Sequence, residues 1–134
     1  MDASLTYQEL ALKTKVARLV QVQEGNIPGI APRGYTNIPD SGGKVCIHDR
    51  EAFCIQEAFQ RAAKGQSLRS ISSVLAWYSL TSKTGKPISP SALKYILTNP
   101  FYCGYITLND KIYPGNHHPI IPKALFDLVQ KRFD

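Results

Sequence analysis

The chain has 134 residues, 43% hydrophobic and 19% charged, which suits one domain with a modest core and is too apolar for a disordered segment. No apolar run approaches the ~20 residues of a membrane span, and the opening MDASLTYQEL, with an early acid and no apolar core, does not read as a signal peptide, so the cytoplasm is the expected location. Sixteen Lys and Arg against ten acids leave a net charge of +6, which points to a polyanion, nucleic acid first, rather than to a membrane or a small-molecule substrate.

Residues 4–24 have the pattern of a helix. Leu5, Leu12, Val16, Leu19 and Val20 recur at helical spacing, and Gly25 followed by Pro28 marks the stop. The apolar stripe is narrow, as for a helix that packs on a neighbour outside this chain. Residues 25–44, GNIPGIAPRGYTNIPDSGGK, are dense in Gly and Pro and predict a loop or extended arm, functional or mobile at that length. Arg33, Tyr35 and Lys44 lie in it. Residues 49–64 form the strongest helical pattern, with Asp49 as cap, Ala52, Ile55, Phe59, Ala62 and Ala63 facing inward, and Gly65 as terminator.

Ser67 is placed to cap a further helix, in which Leu68, Ile71, Val74, Leu75 and Tyr78 face the core. Trp77 is expected to be core as well. Thr81–Pro87 is a polar basic loop carrying Lys83 and Lys86. Ser89 caps the next helix, with Pro90 in its first turn. Leu93, Ile96 and Leu97 face in, while Ser91, Lys94 and Tyr95 are left outside. Asn99-Pro100 ends it. FYCGYITL, a turn at Asn109-Asp110 and KIYP then predict the only clear hairpin. A last helix near 122–133 packs through Leu125, Phe126, Leu128, Val129 and Phe133.

Two short helices followed by a hairpin outline a helix-turn-helix with a wing, although the connection is near ten residues against the usual ~3–4. The fold class expected is therefore α+β and mostly helical, with a helix-turn-helix-like core, a small β-hairpin wing and an N-terminal linking helix. The second helix would present Ser91, Lys94 and Tyr95 to a major groove. Lys94 can reach a phosphate or a guanine edge, and Tyr95 a phosphate or a thymine methyl. Ser89, the cap, can also meet phosphate at the helix N-terminus. Arg69, Lys83 and Lys86 are expected near phosphates. Arg33 and Tyr35 are expected to reach a minor groove from the arm, with Tyr35 as an anchor of the loop on the core the alternative.

No cofactor or metal is expected. Cys46, Cys54 and Cys103 are odd in number and contain no Cys-x-x-Cys pair, which argues against a zinc ribbon and fits a reducing compartment. HHPII at residues 117–121 has no standard ligand spacing with Cys103 and reads as a turn. Ser70, Ser72 and Ser73 have no accompanying base or oxyanion pattern.

Four blocks, GIAPRGYTN, GQSLRSISSVLAW, GKPISPSALKYILTNPFYCGYI and HHPIIPKALFDLVQKRF, resemble in order and spacing the recombinase domain of the large serine recombinases, which include serine integrases and transposon resolvases. The resemblance spans about residues 5–134. It implies a DNA-binding domain for an attachment site, preceded in the family by a catalytic domain with a nucleophilic serine and followed by a zinc-bearing domain. Nothing in this sequence is similar to those two, so an isolated, non-catalytic domain is expected, with double-stranded DNA and the other domains of the same recombinase as partners. Residues 1–24 would be the end of a linking helix and 25–134 the DNA-binding domain. Two other readings remain at this point: a winged-helix transcription regulator, and a protein-interaction module using the helix at 4–24.

Overall fold

The computed structural model describes residues 6–133. Helix α1 (Tyr7–Gln23) starts at a capping box: Thr6 Oγ1 accepts the Glu9 backbone N–H at 3.1 Å, and the Glu9 carboxylate accepts that of Thr6 at 3.2 Å. The predicted start at residue 4, with Leu5, lies outside the described residues. Leu12, Val16, Leu19 and Val20 stay exposed, and Val22 in the last turn is the helix's buried residue.

The segment expected to be a loop or extended arm is mostly loop, but it lies on the body and contains a strand at Tyr35–Asn37. Strand β1 (Tyr35–Asn37) pairs antiparallel with β2 (Val45–Ile47), Tyr35 opposite Ile47. The chain thus has a second hairpin where the sequence suggested one. Strands of three residues are too short for alternation to show, and the Gly and Pro around them mask the rest. Gly43, at φ +99°, lets the backbone approach residue 27 so closely that a Cβ would run into the Ile27 carbonyl. The Ile27 N–H donates to the Gly43 carbonyl at 2.9 Å.

Helix α2 (Asp49–Ala63) buries the predicted Ala52, Ile55, Phe59 and Ala62, together with Cys54 and Ala58; Ala63 is partly buried. Its cap is His48 rather than Asp49: the imidazole Nδ1 accepts the Glu51 N–H at 3.3 Å. Helix α3 (Leu68–Trp77) is capped by Ser67, as expected, and buries Ile71, Ser72 and Leu75. Trp77, expected in the core, is 86% exposed. It follows Ile71 by six residues, about 240° round the helix, on the far side. Tyr78 also stays partly exposed, edge-on to Phe53 at 5.4 Å.

Helix α4 (Pro90–Leu97) buries Leu93, Ile96 and Leu97. Residues 101–103, predicted as strand, form a single 3-10 turn (Pro100–Cys103). Asn99 recaps the chain there, its side chain accepting the Phe101 N–H at 3.0 Å, so the Asn-Pro pair ends one helix and starts a shorter one. Gly104, at φ +104°, releases the chain into β3 (Tyr105–Leu108), which pairs with β4 (Lys111–Pro114). Asn109 and Asp110, both at positive φ, make the two-residue turn that matches strand twist. Helix α5 (Lys123–Gln130) buries Phe126 and Val129, leaves the predicted Leu128 half exposed, and ends in a 3-10 turn at Lys131–Phe133.

The core sits where α2 meets α3 and α5, with α4 closing it against α3 and α5. Phe59, Ile55, Leu93, Leu97 and Val129 are fully enclosed, each worth roughly 1.5–3 kcal/mol of burial. No described helix is long and apolar enough to cross a membrane.

Candidate nucleic-acid interface

The exposed side of α4 is aimed by three local devices. Ser89 Oγ accepts the Ala92 N–H at 3.2 Å, and Pro90 presets the first turn. The buried Ser72 hydroxyl donates to the Ile88 carbonyl, tying the residue just before that cap to the middle of α3. The basic loop between the helices is closed on itself: the Ser82 N–H donates to the Lys86 carbonyl at 2.8 Å, and the Gly85 N–H to the Ser82 carbonyl at 3.0 Å.

These ties make one open groove of about 600 Å³ along α4, lined by Arg33, Ser82, Lys83, Lys86, Ser89, Ala92 and Tyr95 among others. Five residues singled out from the sequence, Arg33, Lys83, Lys86, Ser89 and Tyr95, meet there although they span three segments. Lys83, Lys86, Ser89 and Tyr95 are exposed. Arg33 is more constrained. Its guanidinium donates to the Thr81 carbonyl at 2.9 Å and stands 3.5 Å from the Glu51 carboxylate, with 40% of the side chain exposed. It therefore joins the arm to the basic loop, and its charge is already partly met.

The other expected contact residues lie elsewhere. Ser91 is on the outward crest of α4, next to Tyr95 by helical spacing. Lys94 occupies the flank away from the groove, its ammonium 5.5 Å from the centre of the Phe133 ring, which the Arg132 guanidinium also meets at 5.8 Å. Arg69 is exposed on α3 and does not line the groove. Tyr35 is 6% exposed, which corrects the picture of it in a reaching arm. Its hydroxyl donates to the His118 carbonyl at 2.6 Å, and its ring packs edge-on against Phe101 and His117. The alternative, an anchor of the loop on the core, describes its place.

The groups beneath this surface are neutral and structural. Burial pushes the hydroxyls of Tyr35 and Tyr102 well above the usual phenol range, and the thiols of Cys54 and Cys103 up. The Tyr102 hydroxyl donates to the Arg33 carbonyl at 2.7 Å. His117 stacks on Phe101 at 3.7 Å with Nε2 2.6 Å from the Phe101 carbonyl, and burial lowers its pKa. HHPII is thus a packed turn before α5.

A second groove, of about 370 Å³, shares one lining residue with the first. Arg18 of α1, the loop at Ile27–Ile30, Tyr95 and Thr107 line it, and Tyr95 belongs to both grooves. Sequence reasoning missed Arg18, Ile30 and Arg132. Their only signal was charge or an isolated apolar residue in a loop, and neither identifies a neighbour.

The Recombinase family model matches residues 49–134, from α2 to the end of the chain. No curated protein matches the chain. Two solved structures share the fold at 24% identity, each covering 90% of this chain. One concerns the sequence requirements of the Listeria innocua prophage attP site, with a TM-score of 0.75. The other is a crystal structure of an LSR–DNA complex, with a TM-score of 0.74. The chain spans 51% and 37% of the length of those two proteins. With the model matching well over half of its residues, the chain belongs to the Recombinase family.

Proposed function

We propose that this chain is the DNA-binding domain of a site-specific large serine recombinase, and that it holds a catalytic serine domain on an attachment site. The observation that carries the reading is the basic groove: Lys83, Lys86 and Arg33 gathered round the N-terminus of an exposed, capped helix. That arrangement suits a sugar-phosphate strand, since cations, the positive end of the helix dipole and hydroxyls all favour anions there. In this reading α4 enters a major groove with Ser91 and Tyr95 facing the bases, and Lys94 reaches the DNA from the flank beside Phe133. Lys83, Lys86, Ser89 and Arg69 contact phosphates and set the register, and the β3–β4 hairpin lies along the backbone as a wing. The two similar structures, one of them an LSR–DNA complex, support a nucleic-acid partner.

The domain's part in recombination is positioning, not bond cleavage. The exposed apolar stripe of α1 would face the other domains of the recombinase. Linked domains raise each other's effective concentration, so the isolated chain should bind DNA only weakly or moderately. Titration with duplex DNA at two salt concentrations tests the reading. A steep fall in affinity with salt, and no covalent protein–DNA adduct in denaturing detergent, are expected. Affinity indifferent to salt would refute phosphate binding, and a covalent adduct would refute a positioning role.

A further inference from the structure

Ile30 is 90% exposed, yet the loop that carries it is gripped. The Asn37 side chain reaches back from β1: its Oδ1 accepts the Ala31 N–H at 2.9 Å, and its amide donates to the Gly29 carbonyl at 3.0 Å. One side chain thus holds the backbone on both sides of Ile30 and leaves the isoleucine as the outward tip. Pro28 and Pro32 bracket the tip and restrict φ, and the Ile27–Gly43 hydrogen bond ties down its base. A scattered exposed isoleucine needs no explanation. One presented by a clamp on each side does.

The surroundings supply it. Ile30 borders the groove that Arg18, Tyr95 and Thr107 line, and Tyr95 also lines the basic groove along α4. Preset apolar side chains enter the DNA minor groove and part a base step, and arginine is drawn to the negative potential of a narrow minor groove. We propose that Ile30 is a minor-groove wedge, held in place by Asn37 and flanked by Arg18, acting beside the segment that α4 occupies. The inference rests on the DNA-binding reading and adds to it a residue that deforms DNA. Asn37 is a positioning residue here, and Ile30 makes the contact.

The test uses the whole chain. A duplex selected by the parent protein from a randomised pool is labelled at both ends. Bending is read by energy transfer, and minor-groove protection by hydroxyl-radical footprinting. Ile30→Ala should melt with the parent, bind about tenfold more weakly, bend the duplex less and lose protection over one short segment. Ile30→Leu should retain the bend. Asn37→Ala should resemble Ile30→Ala; should it fail to fold, the two Ile30 variants decide. Lys83→Ala should weaken binding while keeping both the bend and that protection. If Ile30→Ala binds and bends like the parent while Lys83→Ala binds weakly, the wedge is overturned and the DNA-binding reading stands. If the parent shows no salt-dependent binding to DNA, both fall.

Discussion

Lys83 and Lys86 offer the cleanest separation of binding from folding. Both are exposed in the loop between α3 and α4, and among the described residues neither ammonium has an ion-pair partner. The backbone of that loop is closed by Ser82 and Gly85, which the substitutions leave untouched. Removing both side chains should therefore cost the fold within about 0.5 kcal/mol. Binding should respond very differently. Each phosphate contact adds about 0.9 to the slope of log affinity against log salt, so losing two lowers it by about 1.8. Over about a fourfold rise in salt, the parent should lose roughly tenfold more affinity than the double alanine variant. Arg33 would be a poor probe, because its substitution also takes the donor from the Thr81 carbonyl and leaves the Glu51 carboxylate with the Gly34 N–H but without its cation. The assay pairs thermal melting with fluorescence-anisotropy titrations of duplex DNA at both salts. An unchanged slope in a variant that melts like the parent would refute the placement of phosphate in this groove.

Adjacent residues of α4 should separate just as sharply in denaturant unfolding and DNA titration: Leu93→Ala, at a fully buried site, costs roughly 2–5 kcal/mol, whereas Lys94→Ala loses at most about 1 kcal/mol with its cation–π contact to Phe133 but weakens binding. Gly34 has φ +96°, and a Cβ there would stand 2.9 Å from Ile120 Cδ1 and 3.2 Å from Ile55 Cγ1; Gly34→Ala should lower stability by about 1–3 kcal/mol, and an unchanged urea midpoint would contradict the packing at that turn. His117 has its pKa lowered by burial below the ordinary 6.5, so the unfolded chain binds the proton more readily. Its stability contribution is complete above pH 6.5 and is lost as pH falls from there through the folded value; urea titrations across that range should show a shallower acid loss in His117→Gln than in the parent.

The parts of this protein legible in its sequence are those governed by neighbours along the chain. Ser67 and Ser89 cap their helices because a hydroxyl at that point meets an N–H three residues on. Leu93, Ile96 and Leu97 are buried, as are Ile55 and Phe59, because helical spacing alone puts each set on one stripe. The Asn109-Asp110 turn follows from two residues that tolerate positive φ. Three of the four sequence blocks, from GQSLRSISSVLAW onward, fall within the family match over residues 49–134; GIAPRGYTN, at residues 29–37, lies before it.

Packing between distant segments decided the rest. Tyr35 and Tyr95 are chemically identical and both have basic residues nearby in sequence. One is in the core, where its hydroxyl meets the His118 carbonyl, 83 residues away; the other stands 71% exposed on α4. Arg33 enters the groove only because Thr81 and Glu51 hold it there. Trp77 is outside because α3 ends with that residue on the face opposite its buried stripe, whatever the hydrophobicity of indole. Capping, turns and periodicity are short-range interactions that a stretch of sequence carries with it. Burial of a loop residue and convergence of charges depend on which faces of separate elements meet, and that exists only once the chain has folded.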